Sequence, residues 1–235
     1  MRYEVKRVID IHSHFLPEVD DGFASELDSL DALKKFAEEG ITDIICTPHH
    51  RRRYNLPPEE LKKRFEDFKK KAKDIPVNLY LGQEIYAQED IRSDLKDGKL
   101  LPLNGTKYIL IEFSFHTEAE ISDVCYELVR LGYKPIVAHL ERYSYADVSV
   151  AEDIHSVGGL VQINADSLVD KSGKAYRKKA RAMLRSGQVD FIASDCHKGR
   201  ALCFLDAIKY VAKKRGAEEA DRLFFKNAEK ITDEN

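Results

Sequence analysis

Histidines and carboxylates, the side chains that bind transition metals, recur along this chain at the ends of short apolar runs. The first run, Val8-Ile9-Asp10-Ile11, leads into His12-Ser13-His14 and then Asp20-Asp21-Gly22. Its β-branched residues read as a buried strand. Two histidines spaced i, i+2 share one face of a strand, and where the strand ends both can turn toward one point. Imidazole nitrogen suits Zn, Fe or Mn, and the carboxylates of Asp10, Asp20 and Asp21 are hard oxygen donors nearby. Alone, such a pair reads equally well as two solvated histidines in a polar loop. The rest of the chain has to decide.

Further runs end in the same way. Ile41 to Thr47 is followed by Pro48-His49-His50 and by Arg51-Arg52-Arg53. Val77 to Leu81 leads to Gly82-Gln83-Glu84, and Tyr108 to Ile111 leads to Glu112-Phe113-Ser114. Pro135 to Ala138 ends in His139-Leu140-Glu141-Arg142, and Phe191 to Ser194 ends in Asp195-Cys196-His197. Only Leu160 to Ile163, ending in Asn164, carries no evident ligand. Any one case has a bland reading: Glu84 or Glu112 as a loop carboxylate, Asp195 as a helix cap. Recurrence at six strand ends out of seven makes a shared metal site the better account. His116 and His155 lack a paired donor and read as structural or solvated. His50 must point away from His49, and substrate is one thing it could face. Cys196 lies between two candidate ligands, but strand alternation turns it aside. Cys46 and the aromatics between Tyr108 and Phe113 read as core.

These donors need elements to carry them. Strands are expected near 8–12, 41–47, 77–83, 107–113, 134–139, 159–164 and 189–194. Amphipathic helices are expected near 25–39, 58–74, 118–131, 150–157, 173–187, 199–214 and 217–229. Ser25 can cap the first helix and Gly40 end it. Pro57-Pro58 opens the second, whose apolar face carries Leu61, Phe65, Phe68 and Ala72. Gly132 closes the segment carrying Val124, Leu128 and Leu131, and Gly187 the one carrying Met183 and Leu184. Alternation without a Pro/Gly/Ser-rich linker implies a single α/β domain over 1–235 with a parallel sheet. Donors arriving from nearly every strand end favour a barrel over a doubly wound sheet, because they must converge.

Composition narrows the class. The chain has 235 residues, 43% hydrophobic and 34% charged, with a net charge of −3, as expected of a soluble globular protein and not of a general nucleic-acid binder. No apolar run is long enough to span a membrane, and Met1-Arg2-Tyr3-Glu4 is followed by no signal-peptide core. Cys46, Cys125, Cys196 and Cys203 show no CxxC spacing, so reduced thiols and a cytoplasmic location are expected.

In order, HSH, DDG, TPHH, GQE, IEFS, AHLERY and SDCH resemble the polymerase and histidinol phosphatase (PHP) family of metallophosphoesterases. The likeness spans nearly the whole chain. Within that family it is nearest to the manganese-dependent protein tyrosine phosphatases of Gram-positive capsule and exopolysaccharide operons. The resemblance implies a distorted seven-stranded TIM-like (β/α)7 barrel and three divalent metal ions, manganese first, with iron or zinc also admitted by the ligand set. It implies that His12, His14, Glu84 and Asp195 hold one ion. Glu84 would bridge to a second, bound also by Glu112 and His139, and Asp21, His49 and His197 would hold the third. Asp21 is preferred to Asp20 because it directly precedes Gly22. Arg142 matches the family's phosphate-binding arginine and Arg200 a second one. The implied substrate is a phosphotyrosine protein, such as the tail of a bacterial tyrosine kinase at the inner face of the membrane, cleaved by a metal-bridging hydroxide. Cys196 does not open the Cys-x5-Arg loop of thiol phosphatases, since Leu202 stands at the arginine's place. Rival readings are a PHP phosphomonoesterase acting on a metabolite such as histidinol phosphate, a metal-dependent nuclease, and a non-catalytic protein with a structural metal. The nuclease lacks a basic stripe, and structural metal sites are closed Cys/His sets.

Overall fold

The computed structural model describes residues 7–87, 91–115, 117–169, 171–200 and 202–233. Met1 to Glu4, His116 and Ala201 lie outside them. The strands among the described residues are β1 (Ile9–Ser13), β2 (Asp43–Cys46), β3 (His49–His50), β4 (Asn78–Leu81), β5 (Glu84–Tyr86), β6 (Tyr108–Glu112), β7 (Lys134–Val137), β8 (Leu160–Asn164) and β9 (Phe191–Ala193). They form two wholly parallel sheets, ordered β1-β2-β4 and β3-β5-β6-β7-β8-β9.

The second and third expected strands are each broken in two, for local reasons. Pro48 has no N–H to give to a ladder, and β3 restarts immediately after it. Gly82 lies so close to Leu103 that a Cβ would sit 2.6 Å from its Cδ2 and 3.0 Å from its Cα. After each break the chain joins the second sheet, where His49 and Glu84 become register partners. Beyond β9 the chain returns to β1: Asp195 N–H donates to His12 O (2.8 Å) and His14 N–H to Cys196 O (3.0 Å). The result is an α/β fold built on a curled parallel sheet.

Period-two alternation along these strands separates two apolar cores. Ile9, Ile11, Tyr108, Leu110, Ile136, Ala138, Phe191 and Ala193 point inward, where Leu103, Ala228 and Ile231 join them. Val8, Ile109, Ile111, Val137 and Ile192 point outward and pack beneath the helices.

The helices are α1 (Glu26–Glu38), α2 (Pro58–Lys71), α3 (Ile91–Lys96), α4 (Ile121–Arg130), α5 (Val148–Ser156), α6 (Ala165–Leu168), α7 (Lys174–Ser186) and α8 (Phe204–Arg215). A final helical stretch runs through Ala217–Asp221, a π-helical turn Arg222–Lys226, and Asn227–Thr232. Ser25 accepts from Asp28 N–H at the start of α1, and the Leu61, Phe65, Phe68 and Ala72 face of α2 is buried. The starts of α5 and α8 differ from expectation. Asp147 caps α5 by accepting from Ser149 and Val150 N–H, one turn before the apolar pattern begins, and α8 starts at Phe204 instead of 199. Helices α3 and α6, of 6 and 4 residues, are too short to show a helical period. Leu131, expected with Val124 and Leu128 on the helical segment 118–131, is 52% exposed, because α4 stops at Arg130 and Leu131 is its C-cap.

Candidate metal centre

The expected donors meet around one cavity of about 460 Å³ at the C-terminal edge of the strands. Asp21, His49, Glu84, Glu112, His139, Asp195 and His197 line it, together with Arg142 and Arg200. His12 and His14 lie beneath, fully buried. His50 does not line it; burial holds its imidazole pKa below the usual value. His155 lies elsewhere, bonded to Gln188 and Asp190.

The packing of donor atoms is tight. His12 Nε2 and His14 Nε2 are 3.3 Å apart. Each lies 3.3–3.4 Å from Glu84 Oε2 and 3.6 Å from Asp195 Oδ1. Four donors held tetrahedrally about 2.1 Å from one ion would be separated by about 3.4 Å. Beside this group, His139 Nε2 is 2.8 Å from Glu84 Oε1 and 3.9 Å from Glu112 Oε1. On the other side, Asp21 Oδ1 is 3.3 Å from His49 Nε2 and 3.7 Å from His197 Nε2. His49 also reaches back, its Nδ1 lying 2.8 Å from Glu84 Oε2.

Partners behind the histidines fix which nitrogen faces inward. Asp20 Oδ2 accepts from His14 Nδ1 (2.7 Å), Gln162 Oε1 from His12 Nδ1 (3.1 Å), and the carbonyl of Asp195 from His197 Nδ1 (3.0 Å). In each case the Nε2 lone pair is left for the cavity, as in metal-ligating histidines. Gln162 Oε1 also accepts from His139 N–H, its amide donates to Asn164 Oδ1, and Asn164 donates to Asp195 Oδ2. Asp20 further takes Gly22 and His49 N–H. A Cβ on Gly22 would lie 2.3 Å from His14 O, so this close turn admits no other residue. Asp20, Gln162 and Asn164 are supports that strand-end reading passes over. Amides carry no ligand signature, and two adjacent aspartates look alike until one is seen behind a ring and the other in the cavity.

The site is short of positive charge. Glu84 Oε2, Glu112 Oε2, His49 Nδ1 and His139 Nδ1 are buried with no hydrogen-bond partner among the described residues; His49 Nδ1 lies close to Glu84 but out of line for a bond. Burial and the neighbouring Glu84 push Glu112 up to about 8. Burial opposes protonation of His49 and His197, yet the surrounding carboxylates carry them to about 11 and about 9. A pocket that draws protons onto its histidines while leaving carboxylate oxygens unpaired is built for cations. Four groups within it could hold an ion: His12-His14-Glu84, His12-His139-Asp195, His49-Glu84-Glu112 and His14-His49-His197.

Cations rim the same cavity. Arg51, Arg142, Lys198 and Arg200 line it. Asp166 accepts from Arg142 (3.1 Å), Asp21 from Arg51 (3.0 Å) and Asp195 from Arg200. Of the arginine run, Arg52 and Arg53 are exposed and outside the lining.

His139 (φ 34°) and Asp195 (φ 49°) both adopt the left-handed backbone. This costs of order 1 kcal/mol or more each for non-glycine residues and clusters at functional sites.

Comparison with known proteins decides the family: residues 8–233 match the model described as capsular polysaccharide synthesis, CpsB/CapC. The chain belongs to that family. The tyrosine-protein phosphatase YwqE of Bacillus subtilis (strain 168) is 34% identical over 229 residues, covering 94% of this chain and 90% of its own. The tyrosine-protein phosphatase CpsB of Streptococcus agalactiae is 32% identical over 237 residues, covering 95% and 98%. A solved structure from work on YwqE of B. subtilis and CpsB of Streptococcus pneumoniae, described as metal-dependent tyrosine phosphatases, superposes with a TM-score of 0.85 at 34% identity, covering 90% of this chain and 89% of the other. No helix among the described residues is long and apolar enough to cross a membrane.

Proposed function

We propose that this CpsB/CapC member is a metal-dependent tyrosine-protein phosphatase of capsular polysaccharide synthesis. The observation that carries the reading is the layering of one cavity, with a histidine and carboxylate floor under a rim of arginines and lysine. Its phosphotyrosine substrate belongs to a bacterial tyrosine kinase, and the chain works in the cytoplasm. The fold is read as one distorted seven-stranded barrel, on the grounds that β3 continues β2 and β5 continues β4.

For the metals we assign His12, His14, Glu84 and Asp195 to one divalent ion, and Glu84, Glu112 and His139 to a second. Asp21, His49 and His197 are assigned to a third, with manganese the first choice. Ions bound there lower the pKa of water toward 7 and neutralise phosphoryl oxygens. The protein's own part is to hold the ester. Arg142 and Arg200 offer planar paired donors to its oxygens, and Asp166 keeps Arg142 turned into the cavity. Burial opposes the Arg142 charge, but Asp195, Glu141 and Asp166 outweigh it and keep it protonated. The leaving phenol has a pKa near 10 and needs less help from an acid than an alkyl alkoxide. Cys196 takes no part: it is buried and burial pushes its thiol up, whereas a thiol nucleophile needs a depressed pKa.

Phosphate release by the manganese-loaded protein from phosphotyrosyl peptides and from histidinol phosphate tests this. Peptide turnover that survives thiol alkylation is expected. Turnover of the metabolite alone would redirect the reading to a small-molecule phosphatase, and no turnover of either would end it.

A further inference from the structure

The cavity wall is charged, histidine or glycine at every described lining position except one. Phe115 is the exception, and its side chain is held partly in the open, with the residue 37% exposed. Half-exposed apolar side chains are ordinary on a protein surface, but this one stands on the wall of a charged cavity. Among the described residues Phe115 meets two aromatic rings. Its ring centroid lies 5.4 Å from that of His139 and 5.5 Å from that of Tyr143, tilted by 40° and 32°.

The chain around it is fastened. Tyr143 OH accepts from Phe113 N–H (3.0 Å) and donates to Ala138 O (3.0 Å). Tyr145 OH donates to Ser114 O (2.9 Å), and Ser144 Oγ to Phe115 O (3.4 Å). Three successive residues after Arg142 thus pin the segment that presents the ring. Tyr143 is itself fully buried and stacks on Tyr145 at 5.8 Å. A fixed aromatic face beside the phosphate-binding rim is preorganised for a flat apolar group.

We infer that Phe115 receives the phenyl ring of the substrate and sets the preference for aryl over alkyl phosphate esters. This rests on the phosphatase reading above. With the phosphate held by Arg142 and Arg200, a phosphotyrosine carries its ring directly outside the ester oxygen, where offset or edge contact with Phe115 replaces water on both faces. A phosphoserine has only a methylene and backbone at that depth and leaves the ring wet.

The test compares kcat and KM for a phosphotyrosyl and a phosphoseryl peptide of the same flanking sequence, in wild type, Phe115→Leu and Phe115→Tyr, with bound metal measured in each. Competition by phenylphosphonate and methylphosphonate reports binding without turnover. For Phe115→Leu we expect the aryl-to-alkyl ratio of kcat/KM to fall about tenfold, chiefly through KM for the aryl ester, with phenylphosphonate weakened by a similar factor. Phe115→Tyr should restore the ratio to within about threefold of wild type. An equal loss on both esters, or loss of metal in both variants, would make Phe115 a mere support for His139 and overturn the inference. A wild-type protein that cleaves neither peptide would instead overturn the phosphatase reading.

Discussion

Buried carboxylates occur at both ends of the curled sheet, and the two ends treat them in opposite ways. Asp43 opens β2 at the N-terminal edge and is fully buried. Its oxygens accept from Arg7 (2.8 and 2.9 Å), Thr42 (2.7 Å), Tyr80 (3.1 Å) and Asn78 (3.2 Å). Arg7 in turn reaches Asp233 and Thr232, tying the first described residue to the last. At the C-terminal edge Glu84 and Glu112 are also buried, yet each keeps an oxygen with no hydrogen-bond partner among the described residues. One end is neutralised from within the chain and gives stability; the other leaves part of its charge to be met from outside. A buried acid marks function only where its counter-charge is missing.

The contrast can be broken by substitution. His139→Ala should have the largest effect: loss of ion from the second group and a fall in phosphotyrosyl-peptide turnover of about a thousandfold or more, read by metal analysis and single-turnover rates. Asp43→Ala should lower the denaturant midpoint by the equivalent of about 2 kcal/mol, at the low end for a broken buried pair because Arg7 is partly exposed, without changing the ions bound. Glu112→Gln should do the reverse, removing turnover while raising the stability of chelated protein by about 1 kcal/mol, because an amide escapes the burial and the Glu84 charge that push this carboxyl up to about 8. If chelated Glu112→Gln is less stable than wild type, the two ends do not differ as argued.

The smallest effect concerns His155, far from the cavity. Its hydrogen bond to Asp190 (2.7 Å) raises its pKa above the ordinary 6.5, against partial burial. A raised folded-state pKa gives stability in full below about pH 6.5 that is lost as pH rises through the folded value. His155→Gln should therefore cost about 0.5 kcal/mol at pH 6 and less at pH 9, seen as a pH-dependent difference in unfolding midpoint, with turnover unchanged.

Much of this arrangement is legible in the sequence because strand ends are marked twice, by the end of an apolar run and by a change to polar residues. His12, His49, Glu112 and Asp195 each sit at such a boundary. Supports are not marked. Gln162 alternates within β8 as any strand polar residue would, and Asp166 lies on a four-residue helix too short for a period. Phe115 follows IEFS as a lone aromatic before a polar stretch, and only the fold sets it on the cavity wall. The strand breaks at Pro48 and Gly82 are visible as residues, but the close approach that requires glycine at 82 is made by Leu103, 21 positions later.

That transfer has a mechanical consequence. His12 lies in the three-stranded sheet and His14 just past the end of β1, whereas His49, Glu84 and Glu112 lie in the six-stranded sheet and His139 two residues beyond β7; the sheets are bridged by backbone where β1 meets the segment after β9 and where Gly82 and Glu84 N–H donate to Cys46 and Pro48 O. An ion shared among them would also be a rivet across a seam. Chelation should let the amides of His14 and Asp195 exchange with solvent faster while the interior of β6 stays protected, so the chemistry and the closure of this molecule answer to the same ion.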